Sequence, residues 1–557
     1  MSARPVDDLC DQFVADYAAA DPMAATAMGI AGHESQWPDL TPDGYAERER
    51  LIATAHRRVS ETQAVDEREQ AAKDAFLERT TLYLEQYRAH EPQAQISVID
   101  SALHDLRATF DLMDTSSEQG WTDIDARLAD LPQALTQYRA TLSEEAERGN
   151  IAPARQLREV AAQVRGWTGQ TGSNPSVFAG LVEPASKTPL GDQLSEHAAA
   201  ATAAVAEFGV WLETELAPRG RSKEAVGPEQ YARASRYFLG AAVDLDETYA
   251  WGWDELARIE DQMRQVADRI VPGGSVDEAV AALDADPARN LPSKEAFRDW
   301  MQELADTTIA ELAGVHFDIP DPVRRIEAMI APTTDGGVYY TGPSEDFSRP
   351  GRMWWSVPEE TTTFSTWREV TTVYHEGVPG HHLQVGQTTA RKELLNRFLR
   401  TMCWVSGSGE GWALYAERLM DDLGYLEDPG DKLGMLDSQG FRAARVIVDI
   451  GVHLELEVPD NPFGFHPGQR WTPELVWEFM RAHSRMGDAE LRFEVDRYLG
   501  WPGQAPSYKV GERLWLQARE QAKQRKGAAF DLKQFHTDAL NLGSIGLDPL
   551  TKALARL

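Results

Sequence analysis

The sequence predicts a mainly α fold, in which a large body of many helices carries one small β-sheet. Apolar residues recur every three or four positions along most of the 557 residues, which is the spacing of one buried helix face. Only residues 338–357 form short, aromatic, β-prone runs around a turn-rich loop. A composition of 42% hydrophobic and 26% charged residues is that of a folded globular protein.

The N-terminal part predicts long helices separated by loops. Leu9, Phe13 and Tyr17 lie four residues apart on a first helix, and residues 21–42 read as a loop. Thr41 is placed to cap the next helix, and Ser293 to cap a later one. The predicted helices cover approximately residues 42–62, 67–89, 94–113, 121–149, 152–166, 190–216, 246–270 and 290–313.

After the β-prone segment, helical spacing resumes at Thr366 and continues to the C-terminus, with breaks around residues 428–430, 461–469 and 501–504. We divide the chain into an N-terminal helical region, residues 1–330, and a region with the candidate site, residues 331–557. We expect the two to form one continuous structural unit.

Charge and cysteine content exclude several classes of function. The net charge of −34 argues against binding nucleic acid or an anionic membrane surface, because both require clustered Lys and Arg. No apolar run approaches the ~20 residues of a membrane span, and residues 1–20 lack the apolar core of a secretion signal. Cys10 and Cys403 lie far apart, which favours reduced thiols. We therefore expect a cytoplasmic protein.

Residues 374–384 contain the most informative motif. His375, His381 and His382 lie with Glu376 in eight consecutive positions, in a chain with only 13 histidines. The order is close to the H-E-x-x-H pattern of zinc hydrolases, where two imidazoles bind the metal and the glutamate is the general base. Here, however, the second histidine follows at i+6 or i+7 instead of i+4.

A straight helix cannot bring these histidines together. Two residues at i and i+4 stand ~6 Å apart along the axis, whereas i+6 and i+7 are ~9 and ~10.5 Å away. Pro379 and Gly380 favour a break in the helix between them. Looping out two residues would place His381 where the i+4 ligand stands, and looping out three would place His382 there. We favour His381.

A third ligand is predicted from residues 406–417. This Gly/Ser-rich stretch leads into a helix whose first turn we expect to begin at Glu410. Two histidines, one glutamate and an open position for water form a catalytic zinc arrangement. We expect one zinc ion, although other divalent metals could occupy such a site. Glu376 would accept a proton from the metal-bound water and return it to a leaving amine.

Two resemblances point the same way. Residues 410–417, Glu-Gly-Trp-Ala-Leu-Tyr-Ala-Glu, resemble the segment with the third zinc ligand in gluzincin peptidases of the aminopeptidase type, which maps that ligand onto Glu410. Over residues 21–30, 375–384, 410–417 and 502–511 the chain resembles the DUF885 family of bacterial proteins. This resemblance implies a divergent, mainly helical relative of zinc metallopeptidases.

Other residues carry two interpretations each. Tyr508 could donate to the oxyanion of a tetrahedral intermediate or could be a buried structural tyrosine. Glu417 could orient a ligand histidine or face solvent. The segment 338–357 could align an extended peptide on an edge strand or pack over the site. We treat three further histidines as structural: His466, His483 and His536.

Arg442, Arg445, Asp449 and His453 share one helix at spacings of three and four. They could form an internal ladder of ion pairs. Alternatively, the arginines could bind a substrate carboxylate and His453 could stabilise the oxyanion.

The resulting hypothesis is a zinc-dependent hydrolase that cleaves peptide or related amide bonds of short substrates. Two rivals remain at this point: a catalytically inactive binding or scaffold protein, and an Fe(II) enzyme with two histidines and one carboxylate. Glu376 directly after His375 is required by the hydrolase but idle in the iron enzyme, which favours the hydrolase. The substrate and the oligomeric state stay open.

Overall fold

The computed structural model describes residues 4–171, 175–331, 337–358 and 361–556, and it is mainly helical, as predicted. The helices before the sheet are α1 (Pro5–Ala20), α2 (Pro22–Ala27), α3 (Pro42–Glu61), α4 (Glu67–Arg88), α5 (Glu91–Ala94), α6 (Ala102–Ala108), α7 (Glu118–Glu147), α8 (Ala154–Trp167), α9 (Val177–Val182), α10 (Gly191–Trp211), α11 (Gly227–Leu239), α12 (Leu245–Ile270), α13 (Val276–Ala285) and α14 (Lys294–Leu312).

The second group of helices follows the sheet strands. It consists of α15 (Thr366–Glu376), α16 (His381–Ala390), α17 (Arg397–Thr401), α18 (Ser406–Asp422), α19 (Pro429–His453), α20 (Pro473–Ala482), α21 (Asp488–Gly500), α22 (Ser507–Lys526), α23 (Leu532–Leu540) and α24 (Leu547–Arg556). The strands are β1 (Asn290–Leu291), β2 (Ile326–Ile330), β3 (Val338–Thr341), β4 (Gly351–Trp355) and β5 (Phe364–Ser365).

Side-chain caps set the starts of several helices where the sequence predicts them. The Thr41 hydroxyl accepts a hydrogen bond from the amide of Gly44 at 3.3 Å, and the Ser293 hydroxyl accepts one from Ala296 at 3.2 Å. Both caps satisfy an amide that has no partner inside the helix. The two predicted caps are therefore confirmed.

The prediction of one helix over residues 94–113 is wrong. Ile96 and Ser101 form an isolated β-bridge, and the amide of Ser97 donates to the carbonyl of Asp100 at 3.0 Å. Helix α6 begins only after Ser101, whose hydroxyl accepts from the amide of His104 at 3.3 Å. Serine and aspartate side chains bond the local backbone and compete with the helix, which explains the interruption. Helix α2, capped by Asp21, likewise interrupts the predicted loop.

The β structure is larger than predicted. Strand β4 lies in the centre of a three-stranded sheet, parallel to β2 and antiparallel to β3. Strands β1 and β5 form a separate antiparallel pair, so the helix expected from residue 290 begins at Lys294. Strands of two residues carry no alternation that a sequence pattern could reveal.

Helices α15, α18, α19 and α22 pack together and form the part of the body that holds the candidate site. Trp412 of α18 and Trp515 of α22 are fully buried, with ring centroids 5.0 Å apart in an edge-to-face contact. Truncating such a tryptophan to alanine typically costs ~3–5 kcal/mol of stability. The hydrophobic core contains residues from both sides of residue 330. The division of the chain between residues 330 and 331 stays a prediction.

Among the described residues, no helix combines the length and the apolar character needed to cross a membrane.

Candidate metal centre

The helix break predicted between the histidines is present. Helix α15 ends at Glu376 and α16 begins at His381, with a four-residue turn between them. The amide of Gly380 donates to the carbonyl of Tyr374 at 3.0 Å, and a Cβ atom on Gly380 would lie 1.9 Å from the carbonyl oxygen of His375. Only glycine allows this close approach. As a result, the rings of His375 and His381 lie 4.7 Å apart, centroid to centroid.

A single oxygen of Glu410 faces both histidines. Its Oε2 atom lies 3.4 Å from Nε2 of His375 and 3.4 Å from Nε2 of His381. These distances exceed the ~2.7–3.2 Å of a good hydrogen bond. In a tetrahedral zinc site with bonds of about 2.0–2.1 Å, neighbouring ligand atoms stand about 3.3 Å apart. Both distances from Glu410 are therefore close to the spacing of neighbouring ligand atoms in such a site.

Glu417 holds the other nitrogen of His375. The Nδ1–H group of His375 donates to Oε1 of Glu417 at 2.7 Å, and the Thr371 hydroxyl donates to Oε2 at 2.9 Å. In the neutral imidazole this bond places the proton on Nδ1, so that Nε2, which faces Glu410, is the nitrogen available to a metal. A carboxylate behind a histidine is the usual support of a metal-ligating imidazole. Of the two interpretations of Glu417, the structure shows the buried one, since the residue is 1% exposed.

Glu376 lies beside the same two histidines. The candidate ligand atoms of His375, Glu376 and His381 are all within 4.8 Å of one another. Oε2 of Glu376 is buried and has no hydrogen-bond partner in the described part of the chain. Burial raises the pKa of Glu376, although His381 and His375 oppose the shift. A carboxylate with a free oxygen and a raised pKa is suited to accept a proton.

The centre has the electrostatics of a cation site. Burial opposes ionisation of Glu410, but His381 and His375 hold the pKa of its carboxyl well below the usual range. Burial also opposes protonation of His375, but hydrogen bonding to Glu410 and Glu417 raises its pKa to about 9. The carboxylates thus draw positive charge into a buried site, which a divalent cation would supply.

The second histidine of the pair at 381–382 is engaged elsewhere. His382 Nε2–H donates to the carbonyl of Val323 at 2.8 Å, and Nδ1 accepts from the Tyr340 hydroxyl at 2.8 Å. Burial lowers the pKa of His382 to about 4. With both ring nitrogens bonded to the protein, His382 has no free nitrogen for a metal. The geometry therefore favours His381 as the ligand.

Tyr508 lies near the centre, on α22. Burial and the charge of Glu410 raise its pKa, in that order, while neighbouring arginines oppose the shift. The ring is partly exposed and lies 5.0 Å from the guanidinium carbon of Arg445. The predicted donation to an oxyanion stays a prediction.

His453 lies in a different environment. Its Nε2 atom is 3.0 Å from the carbonyl oxygen of Tyr498, and its ring stacks on Tyr231 at 5.7 Å. Asp449 accepts from the Tyr231 hydroxyl at 2.6 Å and from the amide of Gly503 at 2.9 Å. These contacts do not include the histidine pair. The structure therefore does not bring His453 to the metal centre, and it places Asp449 in an internal network.

Three features of the centre were missed or misplaced from the sequence. Helix α18 begins at Ser406, so Glu410 lies in its second turn and not its first. Trp404 is 47% exposed, and its ring centroid lies 5.8 Å from that of His381, at the rim of the centre. Arg497 interacts electrostatically with Tyr508. An exposed tryptophan just before a Gly/Ser stretch is the one signal that could have indicated the rim.

A family model described as a bacterial protein of unknown function matches residues 22–554. The chain belongs to this family, DUF885. A comparison with curated proteins found no match. The fold is similar to that of a protein from Colwellia psychrerythraea, provisionally described as a lipoprotein, with a TM-score of 0.84 and 22% identity over 99% of this chain and 98% of the other.

The fold is also similar to that of a protein from Shewanella oneidensis, provisionally described as a lipoprotein of unknown function. The TM-score is 0.75 and the identity 16%, over 99% of this chain and 100% of the other. Both similarities extend over the full length and establish the fold.

Proposed function

We propose that this DUF885 chain is a zinc-dependent hydrolase that cleaves peptide or related amide bonds of short substrates. One observation carries the proposal: Oε2 of Glu410 lies 3.4 Å from Nε2 of both His375 and His381. Structural zinc sites are closed by four protein ligands, usually with cysteines, whereas catalytic sites keep three ligands and an open position. Two histidines and one glutamate as ligands would leave that position open, which supports the catalytic type.

In the proposed hydrolysis, each residue of the centre would have its own role. His375, His381 and Glu410 would hold one zinc ion, and Glu417 would keep His375 in the tautomer that leaves Nε2 free. A bound zinc ion lowers the pKa of water to ~7 and polarises a carbonyl group. Glu376 would take the proton on its unpaired Oε2 atom and deliver it to the leaving nitrogen.

Residues around the centre support a short substrate. His375 and His381 are only 4% and 6% exposed, so a flexible peptide would reach them more easily than a folded protein. Trp404 at the rim offers an apolar surface to a substrate side chain. Tyr508, beside Glu410, is the proposed donor to the oxygen that becomes negative in the transition state.

The test combines metal analysis with a library of dipeptides and tripeptides. We expect about one zinc per chain and hydrolysis that falls by roughly 10²–10⁴-fold in Glu376→Gln, which should keep its zinc. Glu145 is also buried, at 4% exposure, but it bonds Arg148 and Asn150, so Glu145→Gln is a matched control that should keep its activity. Protein that neither binds zinc nor acquires activity with added zinc would favour the scaffold. Bound iron would favour the Fe(II) enzyme.

We also propose a cytoplasmic location. Cys10 and Cys403 are both buried and unpaired, as expected in a reducing compartment. The two structurally similar proteins are described as lipoproteins, which makes the cell envelope the competing location. Fractionation of the source bacterium with antibodies against the full chain decides between them. Recovery with periplasmic or membrane markers would refute the cytoplasmic location.

A further inference from the structure

Three arginines gather around Tyr508, next to the metal centre. The guanidinium carbons of Arg442 and Arg445 lie 5.9 and 5.0 Å from the centroid of the Tyr508 ring. Arg497 interacts electrostatically with Tyr508. Arg445 and Arg497 are buried, at 7% and 8% exposure, whereas Arg442 and Tyr508 are only partly buried.

The positive charge of this cluster is only partly balanced. Glu494 accepts a hydrogen bond from Arg445 at 2.8 Å and lies 3.4 Å from Nε of Arg497. Glu490 interacts with Glu494, but its side chain is exposed to solvent. Among the described residues Glu494, whose side chain is 13% exposed, is the one carboxylate that forms ion pairs with these arginines, and Arg442 forms none, in a protein whose net charge is −34. Burying unbalanced cations is costly, so such an excess indicates a place for an anion.

Several donor groups in the cluster are unused. Nε of Arg442, and Nε and Nη2 of Arg497, make no hydrogen bond within the described part of the chain. The donor bonds that Arg442 makes go only to Ser438, one turn earlier on its own helix. Arginine presents its donors as a planar fork that matches the two oxygens of a carboxylate.

The cluster adjoins the metal centre. Arg442 interacts electrostatically with Glu376 and Glu417, and Tyr508 interacts with Glu410. A substrate whose scissile bond lies at Glu376 would therefore extend towards Arg442. The partly exposed Arg442 and Tyr508 would contact it, while Arg445 and Arg497 lie behind them.

We propose that Arg442, supported by Arg445 and Arg497, binds the free carboxylate of the substrate, while Tyr508 beside it stays the proposed donor to the oxyanion. This inference rests on the proposed hydrolase function and narrows its substrates to short peptides and N-acyl amino acids with an unblocked C-terminus. Arg445 and Arg497 are positioning residues, since they hold Tyr508 and supply positive charge without reaching the substrate.

Binding of a matched pair of ligands tests the inference without catalysis. The probes are N-acetyl-dialanine and its C-terminal amide, titrated by calorimetry into zinc-loaded Glu376→Gln protein. A charge-assisted contact predicts that the acid binds roughly 10–100-fold more tightly than the amide. In a double variant with Arg442→Gln, the acid should lose this advantage while the amide is unaffected. Arg481 is 51% exposed and pairs with Asp488, so Arg481→Gln is the matched control.

Equal affinity for acid and amide, or failure of both to bind, would overturn the inference, and neither result depends on how an arginine variant folds. Hydrolysis by the wild-type protein separates the test of the carboxylate site from the test of the proposed hydrolase function. Selective binding of the acid without any hydrolysis would support the carboxylate site and refute the hydrolase. Hydrolysis of acid and amide with equal kcat/KM would support the hydrolase and overturn the carboxylate site.

Discussion

Replacing Glu417 by glutamine should weaken zinc binding although it removes no proposed ligand. Glu417 is 1% exposed and accepts hydrogen bonds from Nδ1–H of His375 at 2.7 Å and from the Thr371 hydroxyl at 2.9 Å. Glutamine keeps the shape but removes the negative charge and one acceptor. His375 then loses the charged partner that directs its Nε2 atom towards Glu410.

The size of the expected loss in zinc affinity can be estimated. Removing the hydrogen-bond partner of a ligating histidine costs about 10–100-fold in metal affinity, or about 1.4–2.7 kcal/mol. Removing a ligand itself would abolish stoichiometric binding. Glu417→Gln should therefore lie between wild type and a ligand variant.

Competition with a chelator of known affinity measures the zinc Kd directly. Glu69 provides the matched control, because it is also fully buried and accepts from three amides, those of Val6 at 2.9 Å, Asp7 at 3.3 Å and Val65 at 2.7 Å. Glu69→Gln should lower thermal stability without changing the zinc Kd. A zinc Kd for Glu417→Gln within threefold of wild type would refute the supporting role. An equal loss in both variants would show that general destabilisation, and not the contact with His375, is responsible.

Two further predictions concern residues whose roles the structure separates. His381→Asn should lose stoichiometric zinc. His382→Asn should keep zinc but lower the free energy of unfolding by about 1–3 kcal/mol, because its partners Val323 and Tyr340 are left unpaired. Metal analysis and denaturant titration would show the reverse if His382 were the ligand. Burial raises the pKa of Asp449 to about 7, above its value of ~3.9 in the unfolded chain. The stability that Asp449 contributes is therefore present in acid and is lost at about 1.4 kcal/mol per pH unit between pH ~4 and ~7. Asp449→Asn should lack this slope in denaturant titrations, and parallel pH profiles of variant and wild type would contradict the assignment.

Much of the helical body follows from local pattern. Long helices such as α3 and α12 bury one face of regularly spaced apolar residues, so their extent can be read from the sequence. The interruption at Ile96–Ser101 depends on hydrogen bonds between side chains and nearby backbone, which compete with the helix and leave its apolar spacing unchanged.

The residues of the candidate metal centre were predictable because their chemistry is rare and locally clustered. His375, Glu376 and His381 lie within seven positions, and Pro379 with Gly380 supplies the break that joins them. The choice between His381 and His382 required the three-dimensional structure, because it depends on contacts of His382 with Val323 and Tyr340, which are distant in the chain.

The surroundings of the centre could not be predicted for the same reason. Arg442 and Arg445 were noted on one helix, but Arg497 and Glu494 lie on α21 and interact with Tyr508 and Arg445, respectively. No local pattern connects α21 to these residues. His453 shares a helix with these arginines and yet faces Tyr498 and Tyr231. Spacing along a helix predicts a shared face, and not which neighbour that face meets.

Helix α18 contacts both nitrogens of one imidazole, since Glu410 faces Nε2 of His375 and Glu417 bonds Nδ1 two turns later. The contact of Trp412 with the carbonyl of Pro379 at 2.8 Å adds a third link between α18 and the turn after α15. The hydrogen bonds of Glu417 and Trp412 do not depend on a metal ion. Together they would keep α15 and α18 in the same relative position when the ion dissociates. Metal exchange should then proceed in the folded protein, with a rate set by access past Trp404 and independent of global unfolding.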